Sequence, residues 1–324
     1  MSIELVHVIR GGEIESIHRG DIVGVDSKGG VVFSYGDLNK RTFWRSSAKP
    51  FQVLPLLRSG GVEKYGFELD EIALMTASHG GESTHVKTVK NILKKIGKSI
   101  EDLECGVSAP MHKKSYIEML KSNSAFSSAN NPCSGKHSSM LAYGLMNNYD
   151  LKNYIDKNHI IQKHMLQVIS EITNLEAPDI DIAIDGCGVP VFGLPIYNMA
   201  LAYSQLISSE DVHMKKVVRA MTTHPFNVAG TDRLDTILME ETDGKILAKL
   251  GAESVYCMGV KNEGVGIALK IEDGNYRPLD ALVPSLLLKH KFINHKEYDK
   301  INKRLTLEIK NNRKEKVGII QSLI

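Results

Sequence analysis

The sequence has no excess of either charge: 40 basic residues stand against 38 acidic ones, a formal net charge of +2 in 324 residues. So even a balance supplies no field for drawing in nucleic acid or an anionic membrane, and a small or neutral partner is expected. No uninterrupted apolar stretch approaches the roughly 20 residues that cross a bilayer. The N-terminus Met1-Ser2-Ile3-Glu4-Leu5 lacks the charged, apolar and small-residue sections of an export signal, so a cytoplasmic location is expected. Four cysteines, Cys105, Cys133, Cys187 and Cys257, are too few for a disulfide scaffold, which leaves reduced thiols or metal ligands. No Gly-x-Gly-x-x-Gly or Gly-Lys-Ser/Thr loop proposes a nucleotide. No internal repeat, low-complexity block or Pro- or Ser-rich linker divides the chain, so one domain over residues 1–324 is expected.

What is present is a change of period. Residues 3 to 35 alternate apolar and polar positions between glycines, as in Leu5-Val6-His7-Val8-Ile9, and read as a strand meander with tight turns. From Ser46 to about residue 245 the period becomes helical, with helices expected near 69–77, 82–96, 136–147, 162–173, 193–207, 210–223 and 231–241. Strands return at Ser254 to Met258 and Gly266 to Ile271. After Arg277 come one more amphipathic helix, a Lys/Glu/Asn-rich segment and an apolar end, Val317-Gly318-Ile319-Ile320. Strands at both ends around a helical middle predict an α+β fold, with an antiparallel sheet built from N- and C-terminal strands and helices packed on it.

Two clusters carry chemistry. In Ser46-Ser47-Ala48-Lys49 a hydroxyl and an amine stand three residues apart at the start of a helix, on one helical face. A neutral lysine there can take the serine proton and make a nucleophile for acyl transfer. Ser-x-x-Lys arises by chance in chains of this length, but the apolar run from Pro50 to Leu57 would sink this pair into a core, where lysines are seldom found idle. The second cluster runs from Asn131 to Met140 and opens directly into an apolar helix. It sets Cys133 three residues before Lys136, and a second thiol, Cys187, lies between two glycines in Asp185-Gly186-Cys187-Gly188. Soft thiolates suit zinc, although buried unpaired cysteines acting as small hydrophobes explain the same residues, and Cys105 and Cys257 are read that way.

Five segments in sequence order resemble the signatures of the rhizobial-type (class 3, asparaginase II) L-asparaginase family, which shares its fold with the serine β-lactamases and penicillin-binding proteins. They are Arg45-Ser46-Ser47-Ala48-Lys49-Pro50-Phe51-Gln52, Ala77-Ser78-His79-Gly80-Gly81-Glu82, Cys133-Ser134-Gly135-Lys136-His137, Asp185-Gly186-Cys187-Gly188-Val189-Pro190 and Gly259-Val260-Lys261-Asn262-Glu263-Gly264. The resemblance covers roughly residues 5 to 275 and fades beyond. It implies hydrolysis of the L-asparagine side-chain amide to L-aspartate and ammonia. Ser46 and Lys49 would form one catalytic pair and Ser78 and Lys261 a second, beside a zinc ion held by Cys133, Lys136 and Cys187. A homodimer is implied as well. Arg45, His137 and Asp185 are candidates for holding the substrate's charged ends by adjacency, with surface charge, helix-cap neighbour and turn residue as their plain alternatives.

Two other readings compete. A glutaminase or other Ser-x-x-Lys acylase shares the nucleophile, yet no Ser-Asp-Asn element accompanies it. A zinc- or redox-responsive binding protein would use the thiols and Lys136 but has no need to bury two serine-lysine pairs.

Overall fold

A computed structural model describes residues 1–324. The strands are β1 (Ile3–Arg10), β2 (Glu13–Val25), β3 (Val31–Tyr35), β4 (Arg41–Phe43), β5 (Asp181–Ile184), β6 (Pro190–Pro195), β7 (Ile246–Gly251), β8 (Val255–Val260), β9 (Val265–Ile271), β10 (Glu308–Lys310) and β11 (Lys316–Ser322). The helices are α1 (Lys49–Gln52), α2 (Leu54–Arg58), α3 (Gly61–Tyr65), α4 (Leu69–Met75), α5 (Ser83–Lys95), α6 (Lys113–Lys121), α7 (Ser134–Met146), α8 (Ile160–Thr173), α9 (Ile196–Ser208), α10 (Val212–Thr223), α11 (Pro225–Val228), α12 (Leu234–Glu241), α13 (Leu279–Lys289) and α14 (His295–Arg304). They divide into two compact units. One holds Met1–Thr42, Pro195–Ser208 and Ile237–Ile324; the other holds Phe43–Leu194 and Ser209–Thr236.

The first unit is the sheet that both chain ends were expected to build. Gly11 and Gly12 sit at φ 58° and 91°, a backbone region that glycine enters without a Cβ penalty, and turn β1 into β2. The eight-stranded antiparallel sheet runs β10-β11-β1-β2-β9-β8-β7, with β3 also paired to β2. β1 and β11 lie side by side, Val6 opposite Ser322 and Arg10 opposite Gly318, so the two ends of the chain are neighbours in one sheet. Strands β8 and β9 are buried at every residue, which means that both of their faces are covered. Helix α9 supplies one cover, packing across β2, β8 and β9.

The second unit is the helical middle. Helix α4 is packed by α5, α7, α10 and α11, and α7 is buried at every residue from Ser134 to Gly144. The two helices meet closely because Gly135 has no side chain: a Cβ there would fall 2.0 Å from the Leu74 carbonyl oxygen. This contact matters for position. The C-terminus of α4 leads into Ala77-Ser78, and the N-terminus of α7 begins at Cys133.

Several elements depart from the expected pattern. Helix α9 begins at Ile196, not 193, because Val191 to Leu194 belong to strand β6. Strands β5, β6 and β7 and helix α6 had no assigned signal; α6 buries none of its residues and leaves its apolar Tyr116, Ile117 and Leu120 exposed. The Lys/Glu/Asn-rich segment holds α14, which buries only Ile301 and begins with a reciprocal Asn294–Glu297 capping box, a local signal at Asn294 with its acidic partner three positions on.

The closest backbone approach in the sheet unit yields a test. A Cβ on Gly266 would fall 1.9 Å from Ala200 O and 2.3 Å from Ser204 N, both backbone atoms of α9. Gly266→Ala is expected to lower the unfolding free energy in urea by about 1–3 kcal/mol. Unchanged stability would mean that α9 does not lie on β9 as described.

Candidate active site

Two distant segments of the helical unit, at Ala77 and at Pro132-Cys133, meet the buried amine of Lys49. Ser46 lies in the 3₁₀ turn Arg45–Ala48, which runs directly into α1, and the Lys49 backbone N–H donates to the Ser46 carbonyl. Pro50 at the next position is tolerated because the first helical N–H groups have no partner within the helix. The apolar run after it, Phe51 with Leu54, Leu56 and Leu57, is buried, and it draws Lys49 in until 1% of its surface is exposed. There Lys49 Nζ donates to Ala77 O at 2.6 Å, Pro132 O at 3.3 Å and Cys133 Sγ at 3.3 Å. An ammonium has three donors, so all are occupied, and none goes to the Ser46 hydroxyl. The expected Ser46–Lys49 contact therefore exists through the backbone turn and not between the side chains. Ser78 follows Ala77 directly, is half-buried, and is held by its own N–H to Val228 O at 2.9 Å.

The two thiols and Lys136 also come together. Cys133 heads α7, where its N–H donates to Asn131 Oδ1, while Asn131 Nδ2 donates to Cys105 O and Gly106 O and fixes that turn. Cys187 sits in the β5–β6 turn, closed by Asp185 N–H to Val189 O and Gly188 N–H to Asp185 O. Lys136 Nζ donates to Cys187 Sγ at 3.1 Å. A hydrogen bond from the Cys133 thiol holds the Cys187 thiol down at about 5, against the upward push of burial and with help from the Lys136 charge. Cys133 is correspondingly pushed up to about 12. Burial alone would lower Lys136, but the negative charge of Cys187, Cys133 and Asp185 overrides it and raises the amine. All four cysteines are free thiols.

The charged neighbours are equally local. Arg45 occupies φ 51°, a left-handed conformation that costs a non-glycine residue roughly 1–2 kcal/mol, and its guanidinium is tied to Asp185 Oδ1 by Nε at 3.0 Å and Nη2 at 2.9 Å. Burial would raise the Asp185 carboxyl, yet the charges of Lys136 and Arg45 hold it below the usual carboxylate range. Asp185 Oδ1 also accepts the Gly186 N–H at 2.8 Å, so it is a turn residue and an ion-pair partner at once. His137 is fully buried and its pKa is lowered to about 3, first by burial and then by Lys136. Its Nδ1 lies 2.7 Å from the Tyr154 hydroxyl, and its Nε2 is buried without a partner.

Eight of the expected site residues thus share a connected network in the helical unit or, for Ser78, flank it: Arg45, Lys49, Ser78, Cys133, Lys136, His137, Asp185 and Cys187. Ser46 joins it through the backbone. Lys261 belongs to the sheet unit, where it follows β8, donates its backbone N–H to Lys245 O at 3.0 Å, and is lowered by partial burial. Tyr154 and Asn131 were not expected. Asn131 stood in the quoted segment without a role, whereas Tyr154 lies in a polar loop with no motif around it.

No group of three or more His, Cys, Asp or Glu side chains is arranged so that it could hold a metal ion. A metal at this site would depend on the two sulfurs and the Lys136 amine. That set is compatible with zinc, a borderline-soft ion that takes thiolate and nitrogen donors, provided that Cys133 and Lys136 give up their protons on binding.

A family model described as L-asparaginase II matches residues 6–322, including the C-terminal residues beyond 275 where the resemblance had faded. No curated protein matches the chain. A solved structure described as "Crystal Structure Analysis of Mglu" aligns with a TM-score of 0.37 and 13% identity over 85% of this chain and 67% of that one, too slight a likeness to argue from. No helix is long and apolar enough to cross a membrane.

The Tyr154 hydroxyl accepts the Glu104 N–H at 2.9 Å as well as facing His137 Nδ1. Tyr154→Phe is expected to leave both groups unpaired in a dry interior and to lower stability by about 1–3 kcal/mol in a thermal melt. A neutral effect would mean that water reaches this network.

Proposed function

The chain belongs to the L-asparaginase II family and is an amidohydrolase of the L-asparaginase type, and we propose that it hydrolyses the side-chain amide of L-asparagine through an acyl-serine intermediate on Ser46. The family match over residues 6–322 carries this reading. The geometry supports it by gathering a buried amine, the Arg45–Asp185 ion pair and an unpartnered imidazole nitrogen in the helical unit that carries the Ser46 turn.

In this mechanism the Ser46 hydroxyl oxygen attacks the carboxamide carbon and its proton passes to Lys49. The amine that accepts this proton is the neutral one, which has two N–H donors and a lone pair, so in the reacting state it donates to at most two of Ala77 O, Pro132 O and Cys133 Sγ. The tetrahedral oxyanion collapses, the C–N bond breaks, and the nitrogen leaves as ammonia with a proton delivered to it. Ser78 and Lys261 serve that delivery; the partial burial that lowers Lys261 makes its proton easier to give up. Water then cleaves the aspartyl ester.

Recognition of a zwitterionic substrate needs both signs of charge. Arg45 offers positive charge for the α-carboxylate, and Asp185 negative charge for the ammonium. If the Tyr154 hydroxyl donates to His137 Nδ1, the imidazole proton lies on Nε2, where it is a buried donor without an acceptor until a ligand supplies one. Zinc, held by Cys133, Lys136 and Cys187, would add fixed positive charge and tie the start of α7 to the β5–β6 turn.

Ammonia release from L-asparagine and L-glutamine, with zinc measured on the same samples, tests the proposal. The wild type is expected to prefer asparagine, and Ser46→Ala to lose on the order of 10³-fold or more in kcat while keeping its zinc. A folded wild type inactive on both amides would sink the assignment, and a covalent adduct on Ser46→Ala would move the nucleophile elsewhere. Cys187→Ser is expected to lower zinc content strongly in dialysed protein, because an alcohol oxygen is a poor replacement for a thiolate ligand. Full zinc retention would remove Cys187 from the ligand set.

A further inference from the structure

We propose that His79 is a positioning residue, an imidazole strut that fixes the Ser78 turn against the start of helix α7. The inference rests on the reading of Ser78 as part of the catalytic apparatus, and nothing in that reading assigns a role to His79. The ring is completely buried. Its Nδ1 accepts the Gly81 N–H at 3.1 Å, so that nitrogen carries no proton. The ring proton therefore sits on Nε2, which lies 2.9 Å from Ser134 Oγ and donates to it. Ser134 Oγ in turn donates to Ala129 O at 3.2 Å. Donors thus point one way along the chain Gly81, His79, Ser134, Ala129, and each ring nitrogen has one compatible role.

The two ends of this strut are the two halves of the site. Gly81 closes the turn that begins at Ser78, and its φ of +72°, with Asn130 O only 2.8 Å from where a Cβ would stand, leaves no slack there. Ser134 lies between Cys133 and Lys136 at the first turn of α7. The ring is clamped from the side as well: it stacks on His85 at 4.9 Å between centroids, and His85 stacks on Phe226 at 4.6 Å. His85 is held by donating from Nε2 to Phe226 O at 2.9 Å and accepting the Glu82 N–H at Nδ1. A side chain buried this fully, with both nitrogens paired to different segments, sets the spacing between those segments, and displacement of a reacting group by about 1 Å costs on the order of 10²-fold in rate.

The test compares wild type with Ser134→Ala, His79→Asn and His79→Gln. Ser134→Ala removes the acceptor of Nε2–H together with the Ser134 donation to Ala129 O, and leaves the Gly81 contact at Nδ1 in place. His79→Asn keeps an acceptor for Gly81 but no longer reaches Ser134, and His79→Gln places an amide N–H near the Nε2 position. Ser134→Ala and His79→Asn are expected to lower kcat for L-asparagine by about 10- to 100-fold with KM within about twofold, and His79→Gln to recover part of the loss. Amide exchange at Gly81 is expected to quicken in Ser134→Ala. Wild-type kcat together with wild-type Gly81 exchange in Ser134→Ala overturns the proposal, even if the His79 variants fail to fold. A wild type that releases no ammonia overturns the catalytic reading instead, and the strut itself then stands or falls on Gly81 exchange.

Discussion

Burial of the Lys49 ammonium is the constraint on which the site depends. A charged amine taken out of water must find replacements for its water contacts, and Lys49 finds three, on the turn after α4, on Pro132 and on Cys133. Those acceptors come from two segments 28 to 84 residues away in sequence, so satisfying one group fixes both of them against the helix that carries Lys49. The apolar residues that follow Lys49 hold the amine at that depth. Function is thereby tied to packing: the residue proposed to accept the nucleophile's proton is also the one that assembles the surroundings.

Around this amine the charges are arranged in opposed pairs, each depending on the next. Lys136 donates to Cys187 Sγ, Arg45 is tied to Asp185, and the charges of Lys136 and Arg45 together lower the Asp185 carboxyl. The Arg45–Asp185 pair offsets the left-handed backbone at the residue immediately before Ser46. Strain at the serine turn is therefore maintained by an ion pair whose acidic partner arrives from the β5–β6 hairpin.

The glycines show how little room these contacts leave. Gly135 lets α7 approach the end of α4, and the two helix ends so aligned deliver Cys133 and Ser78 to the same region. The sheet unit uses the same device at Gly266, where α9 lies directly on β9. In both places the missing side chain sets the distance between elements, and a methyl group would have to displace backbone.

The sequence by itself determined the element types with strong period, the α+β class with strands at both ends, and the turn that presents Ser46 three residues before Lys49, because these follow from neighbours within a few positions. It also carried the five ordered segments from Arg45 to Gly264. It did not carry α6 or α14, whose faces are almost wholly exposed, nor the place of the C-terminal segment beside β1, since pairing across more than 300 residues leaves no local mark. The partners of Lys49 lay outside its reach as well. Its helical spacing pointed at Ser46, and only the fold sent the amine to Ala77, Pro132 and Cys133. Sequence spacing limits which groups can meet within one turn of helix, whereas a buried charge takes whichever acceptors the packed chain brings to it, and that choice belongs to tertiary structure.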